Sequence, residues 1–180
     1  TATFNSVALS VAAQETSPTD ILFNNDGTKL YLIGTAGDDI NQYDLSTAYD
    51  ISTASFNSVV LTVSGQEISP QNIEFNSDGT VLYVMGSDGD DIKQYNLSTA
   101  YDISTATFNS VVLSVATQES NPQDFIFNQS GTEMYIIGDS QEINKYILST
   151  AYDISTATFD SIVSNISSQE TQPQSLLFND

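Results

Sequence analysis

The chain has 180 residues, enough for one domain with a sizeable hydrophobic core. It carries three lysines, no arginine and no histidine against 23 acidic residues, a net charge of −20, so there is no basic stripe to bind nucleic acid. The absence of cysteine excludes disulfides and thiolate metal sites, and no apolar run approaches the ~20 residues that would allow membrane insertion.

A repeat of about 52 residues runs through the chain. Its markers recur at nearly constant intervals, among them Phe4, Phe56, Phe108 and Phe159, and Pro18, Pro70, Pro122 and Pro173. The pattern predicts a single domain over residues 1–180, with repeat units at about 4–55, 56–107 and 108–158 and a half unit at 159–180. The fold must therefore use one structural unit several times.

Within the middle repeat, four short segments rich in β-branched and aromatic residues predict strands. In chain order they are Asn72–Asn76, Val81–Met85, Asp91–Leu97 and Phe108–Val115. Turns centred on glycine separate the first three segments. The sequence STAYDIST precedes the fourth strand and is identical at 46–53, 98–105 and 149–156. No segment has a helical hydrophobic period over a useful length.

Four antiparallel strands per repeat are typical of a β-propeller blade. The sequence therefore predicts an all-β chain of four-stranded antiparallel blades, with the first strand innermost and the fourth outermost. A fourth strand at the start, three complete units and one inner strand at the end make 14 strands, about 3.5 blades. Because a propeller closes with about four blades or more, we expect closure by self-association or by the remainder of a longer chain.

The motif P-x-x-I-x-F-N-x-D-G-T-x-L-Y-V at Pro70–Val84 resembles the YVTN and lactonase-like propellers. With the block L-S-T-A-Y-D-I-S-T-A, it is also similar to a blade repeat of marine bacterial secreted proteins and of phage tail or surface proteins. The resemblance covers nearly the whole chain and implies an extracellular or virion-surface location. It implies no activity, because propellers host many unrelated functions.

The three STAYDIST segments carry Tyr49, Tyr101 and Tyr152 and allow two interpretations. In the first, the Ser, Thr and Asp side chains close local turns and each tyrosine ring is mostly buried as an anchor against a blade. In the second, the rings stand exposed around one face and recognise a surface glycan or a protein. We favour the anchor interpretation.

The opposite face is expected to carry acidic and amide side chains from two loops per blade. The candidate binding residues there are Gln66, Glu67, Gln118 and Glu119, which could alternatively cap backbone groups at the blade junctions. The candidate metal ligands are Asp38, Asp39, Asp88, Asp90 and Asp91, and calcium (Ca²⁺) is the natural choice for oxygen ligands. We expect the third unit to bind weakest, because Glu142 follows GDSQ there instead of the Gly-Asp-Asp arrangement.

Catalysis finds little support in the sequence, because triad chemistry lacks its histidine base and the repeats present the same carboxylates in each blade. The sequence therefore predicts a non-enzymatic module for adhesion, binding or structural assembly. The alternative is a lactonase-like or glycan-cleaving hydrolase that uses a pair of carboxylates.

Overall fold

The computed structural model describes residues 6–178 and contains twelve strands in three four-stranded antiparallel sheets. Each sheet is one blade, with its strands in chain order from the inside outwards. The first blade comprises β1 (Pro18–Phe23), β2 (Lys29–Gly34), β3 (Asp39–Leu45) and β4 (Ala54–Thr62). The second comprises β5 (Pro70–Phe75), β6 (Val81–Gly86), β7 (Asp91–Leu97) and β8 (Ala106–Ser114). The third comprises β9 (Pro122–Phe127), β10 (Glu133–Gly138), β11 (Glu142–Leu148) and β12 (Ala157–Asn165).

Successive blades stack face to face, so a central blade buries both of its faces. In β6, Leu82 and Val84 point into the apolar core shared with the first blade. Tyr83 and Met85 point the opposite way, into the core shared with the third blade. This burial on both sides explains why the second strand of each repeat reads as a nearly continuous apolar run.

The predicted partial β-propeller architecture is confirmed, with about three blades in residues 6–178. We expected 14 strands, and residues 6–178 contain twelve. The segments at 6–11 and 173–178 belong to none of the three sheets in residues 6–178. The predicted marker Phe4, and the turn predicted to follow Phe178, lie outside the described residues. No helix in residues 6–178 has the length and apolarity to cross a bilayer.

Each STAYDIST segment folds into a one-turn 3₁₀ helix that the sequence analysis did not predict, at Ile51–Thr53, Ile103–Thr105 and Ile154–Thr156. Asp102 caps the second of these helices by accepting a hydrogen bond from the Ser104 backbone at 3.0 Å. Thr105 closes the loop, because its hydroxyl accepts from the Thr99 amide at 3.2 Å and donates to the Asp102 carbonyl at 2.8 Å. The repeated Ser, Thr and Asp residues thus define the shape of the loop.

The same loop joins each blade to the blade before it. The hydroxyl of Tyr31, in the second strand of the first blade, donates to the carbonyl of Tyr101 in the second blade's loop. Tyr83 donates in the same way to the carbonyl of Tyr152. The loop tyrosines have φ values of 60° and 61°, a left-handed backbone conformation that is uncommon for residues other than glycine. Loop shape and blade stacking therefore depend on one another.

Candidate functional site

The three inner strands meet along one edge of the molecule and carry a cluster of polar side chains. A cavity of about 160 Å³ opens at this edge, and its polar lining includes Asp20, Asn72, Glu74, Asp124 and Ser175. Asp20, Asn72 and Asp124 occupy the equivalent position of β1, β5 and β9, two residues after the repeated proline. We call this region the inner-edge cleft.

Asn72 connects two of the carboxylates in the cleft. Its side-chain amide donates to Asp20 at 3.1 Å and to Asp124 at 2.6 Å. Asp20 also accepts from the backbone amides of Ile73 at 3.0 Å and of Ile21 at 2.7 Å. The Oδ1 atom of Asn72 is buried without a hydrogen-bond partner in residues 6–178. The cluster is therefore rigidly held but retains an unused acceptor.

Glu74 breaks the repeat symmetry of the cleft. The equivalent residues in the other units are aliphatic, namely Leu22, Ile126 and Leu177. Glu74 lines the inner-edge cavity and also a second cavity of about 160 Å³ beside it, where Asn25, Asn76, Asn128 and the Tyr101 and Tyr152 side chains contribute to the wall. A partly buried acid in place of an aliphatic side chain costs stability, so its presence suggests a functional role.

Burial raises the pKa values of the carboxyl groups in the cleft by different amounts. Burial raises the pKa of Glu74 to about 8, with a smaller contribution from the nearby Asp20 and Asp124 charges. Burial also raises the pKa of Asp20 to about 6, although the Ile73 amide opposes the shift. The pKa of Asp124 is raised for the same reason. Near neutral pH the cleft therefore holds a protonated Glu74 beside an ionised Asp20, the combination required of a general acid and a general base.

The raised pKa of Glu74 predicts that the chain is more stable at pH 5 than at pH 8. The folded state holds the Glu74 proton up to about pH 8, whereas the unfolded chain releases it near pH 4.5. Stability from this group is therefore lost as the pH rises through that interval. Glu74→Gln removes the ionisation and should raise the free energy of unfolding at pH 8 by on the order of 2–4 kcal/mol, as measured by urea unfolding.

Asp160→Asn is the matched control for this stability measurement, because Asp160 is an exposed carboxylate on the outer strand β12. Its pH profile should follow that of the parent. The same slope of stability against pH in Glu74→Gln and in the parent would contradict the assigned pKa.

The loop tyrosines lie partly buried rather than mostly buried. The rings of Tyr101 and Tyr152 are half-buried, and Tyr49 is 58% exposed. The Tyr101 ring lies on the Gly79 turn, where an added Cβ would overlap it, and packs against Phe75 with a centroid distance of 5.1 Å. Its hydroxyl donates to the carbonyl of Ser77 at 3.4 Å. The ring contacts are those of an anchor, while glycan or protein recognition by these residues stays a prediction.

The Gln-Glu pairs lie at the blade junctions, where their side chains bind neighbouring groups of the chain. Glu67 is 1% exposed and accepts from the amides of Ser69 at 2.8 Å and Asp88 at 3.3 Å. Glu119 accepts from Asn121 and Ser140 in the same arrangement. Gln66 and Gln118 accept from the hydroxyls of Tyr95 and Tyr146 at 3.3 Å and 2.9 Å. These contacts match the capping alternative, and external binding by these residues stays a prediction.

The Asp-rich turns do not assemble a cation site within residues 6–178, where no group of three or more His, Cys, Asp or Glu residues could hold a metal ion. In the second blade the ammonium group of Lys93 occupies the acidic region, where it pairs with Asp91 and, at 3.0 Å, with Glu67. Calcium binding by Asp38, Asp39, Asp88, Asp90 and Asp91 therefore stays a prediction that no cluster supports.

Sequence reasoning missed all five polar residues of the inner-edge cleft, which are Asp20, Asn72, Glu74, Asp124 and Ser175. Asp20, Asn72, Asp124 and Glu74 belong to the inner strands, whereas the functional residues predicted from sequence lie in or beside the loops. A signal was available, because aligning the four units position by position isolates Glu74 among Leu22, Ile126 and Leu177. The burial that gives Glu74 its chemistry could not be read from the same alignment.

Comparisons with known proteins identify the fold and leave the family open. No protein-family model matches the sequence, and no curated protein matches it. Among solved structures, a Bacteroides fragilis protein named as a candidate 6-phosphogluconolactonase is similar, with a TM-score of 0.56 and 16% identity over 82% of this chain and 38% of its own. The periplasmic gluconolactonase PpgL of Pseudomonas aeruginosa has a TM-score of 0.55 and 14% identity over 82% of this chain and 39% of its own.

Hydrazine synthase of Kuenenia stuttgartiensis has a TM-score of 0.58 and 13% identity over 91% of this chain and 40% of its own. The chain thus spans about two fifths of the length of these structures. Identities this low show the β-propeller fold alone, and the functions of these neighbours differ.

Proposed function

We propose that the inner-edge cleft is the active site of a lactonase-like hydrolase that opens a cyclic ester. The observation that carries this proposal is Glu74, a partly buried carboxylic acid with a raised pKa at a position where the other units have aliphatic residues. The sequence argument against catalysis was that repeated carboxylates do not form an asymmetric site, and Glu74 supplies that asymmetry. The gluconolactonases among the structural neighbours make this the better-supported alternative.

The two differently protonated carboxyl groups would divide the work of ester hydrolysis. Asp20, ionised above a pH of about 6, accepts a proton from the attacking water. Glu74, protonated below a pH of about 8, donates a proton to the leaving alkoxide oxygen. Asp124 positions Asn72, whose amide keeps the Asp20 carboxylate in place. General acid–base catalysis of this kind typically contributes about 10²–10⁴ in rate.

The charge of the chain favours a neutral substrate over a phosphorylated one. All three lysines pair with carboxylates, Lys29 with Asp44, Lys93 with Glu67 and Asp91, and Lys145 with Glu133. None of these lysines is among the residues that line the inner-edge cavity. A phosphate would therefore enter an acidic cleft without a counter-charge. The proposed substrate is an uncharged sugar lactone or a similar cyclic ester.

Glu74→Gln is expected to lower kcat/KM for a neutral lactone by about 10²-fold or more. The measurement is lactone ring opening, followed by pH-stat titration over a panel of neutral and phosphorylated lactones. Activity of the parent should rise through a pH of about 6 and fall through about 8, where Asp20 ionises and Glu74 loses its proton. Asp20→Asn should abolish the rise in activity on the acidic side of the pH profile.

Asp160→Asn again serves as the control, because it removes an exposed carboxylate on the outer strand and should leave kcat/KM unchanged. Full activity of Glu74→Gln, or faster turnover of phosphorylated than of neutral lactones, would contradict the proposed site. No turnover of any lactone by the parent would contradict the hydrolase itself.

The structural neighbours give no support to the adhesion or phage-surface role predicted from the sequence. The extracellular or virion-surface location also stays a proposal, consistent with the acidity and the absence of cysteine. An extracellular setting and a small-molecule hydrolase are compatible with each other.

A further inference from the structure

The interface between successive blades is the same at both junctions of the chain. At the first, Tyr31 packs on Phe75 with ring centroids 5.0 Å apart and donates its hydroxyl to the Tyr101 carbonyl. At the second, Tyr83 packs on Phe127 at 4.9 Å and donates to the Tyr152 carbonyl. We call the side of a blade that provides the donor tyrosine its outgoing face, and the side that provides the loop carbonyl its incoming face.

Within residues 6–178, the first blade exposes an incoming face with no blade against it. Ile21 is 58% exposed, whereas its equivalents Ile73 and Phe125 are 0% and 1% exposed. An apolar cavity of about 230 Å³ lies on this face, lined by Leu9, Val11, Pro18, Ile21, Leu30, Leu32 and Ile51. These residues have the chemistry of a blade interface, but they lack a partner blade within residues 6–178.

The third blade exposes the complementary outgoing face. Tyr135, the equivalent of Tyr31 and Tyr83, is only half-buried, and its hydroxyl donates to Glu133 at 2.9 Å instead of to a loop carbonyl. An apolar cavity of about 250 Å³ adjoins it, lined by Ile126, Tyr135, Ile143, Val163, Leu176, Leu177 and Phe178. Both halves of the repeated interface are therefore present in one chain, on opposite sides.

The two terminal segments partly cover these faces, and their contacts resemble those that a neighbouring blade makes. Phe178 packs on Tyr135 with ring centroids 5.2 Å apart, as Phe75 packs on Tyr31. At the other end, Leu9 and Val11 pack on the incoming face of the first blade. Neither segment pairs with a strand among the described residues. A complete blade would replace each of these contacts with an equivalent one and would add its own middle strands.

We infer that the incoming face of the first blade docks on the outgoing face of the third blade of a second copy of this chain. In this head-to-tail contact, Phe23 of the first copy replaces Phe178 on Tyr135 of the second copy, and that Tyr135 hydroxyl donates to the Tyr49 carbonyl of the first copy. The contact continues the interface already formed twice within the chain. Since it is heterologous, its repetition gives a closed ring or an open filament.

Charge modulates this association in a direction that can be tested. Each copy carries a net charge of −20, so two copies repel one another at low ionic strength. Salt screens this repulsion and leaves the apolar contact intact. Association should therefore be tighter at physiological than at low ionic strength, the opposite of an assembly held by ion pairs.

The test is sedimentation equilibrium of the 180-residue chain over a wide range of concentration, at low and at physiological ionic strength. The parent should form dimers or larger species whose fraction rises with concentration and with salt. Ile21→Asp places a charge at the centre of the proposed contact and should raise the dissociation constant at least about tenfold. Deleting residues 173–178 should lower the dissociation constant, because a competing segment is removed.

Val60→Asp is the matched control, because Val60 is 43% exposed and its equivalent Val112 is 46% exposed although its blade has neighbours on both sides. The control should associate as the parent does, and thermal unfolding should show both variants folded. A parent that stays monomeric at all concentrations would overturn the proposal. Equal loss of association in both variants, or equal retention in both, would also overturn it by placing the contact elsewhere.

Discussion

Replacing Glu67 by alanine is expected to lower the free energy of unfolding by about 3–5 kcal/mol. The Glu67 carboxylate is buried and binds the amides of Ser69 and Asp88 and the ammonium group of Lys93. Removing one partner of a buried charged pair leaves the remaining groups without compensation, which typically costs about that much. The Glu67 side chain also packs directly on Gly86, where an added Cβ would overlap it. Urea unfolding at neutral pH measures the effect.

Glu170→Ala tests the same motif at a position after which residues 6–178 contain no further blade. Glu170 is exposed, and within residues 6–178 its side chain accepts from the amides of Thr171 and Gln172 in its own turn. Its replacement should change stability by no more than about 0.5 kcal/mol, as for ordinary surface sites. If the two substitutions lower the free energy of unfolding equally, the contacts of Glu67 with Asp88 and Lys93 of the second blade do not contribute to stability.

Replacing Tyr101 by alanine is expected to cost about 2–3 kcal/mol, somewhat less than a fully buried aromatic. The substitution removes the ring that packs on Gly79 and Phe75. It also loosens the loop whose carbonyl accepts the hydroxyl of Tyr31 from the preceding blade. Thermal or urea unfolding of the single variant provides the measurement.

Tyr49→Ala is the internal comparison for Tyr101→Ala, since both residues belong to an identical STAYDIST segment. Tyr49 packs on Phe23 in the same way, but it is 58% exposed and lies on the free incoming face. Its loss should cost at least about 1 kcal/mol less. If Tyr101→Ala instead leaves stability unchanged and weakens binding on a glycan array, the tyrosines are recognition residues and the anchor assignment is wrong.

The blade architecture could be predicted from sequence because it depends on local chemistry repeated several times. Alternating and continuous apolar segments separated by turns such as Ser77-Asp78-Gly79 specify strands with few alternatives. The predicted bounds of β7, Asp91–Leu97, agree with the structure, and the other strands of that blade differ by a few residues at either end. The 3₁₀ helices were missed because a single turn leaves no periodic pattern.

The tertiary structure decided what the acidic side chains do. Glu67 and Glu74 lie only a few residues apart in the same unit, and both look like surface carboxylates in the sequence. Glu67 is buried with three donors, so its negative charge is compensated. Glu74 is partly buried in the cleft between inner strands, where desolvation raises its pKa to about 8. Sequence determines which residues repeat, whereas proton affinity depends on the groups that neighbouring blades bring around a carboxylate and on the water they exclude.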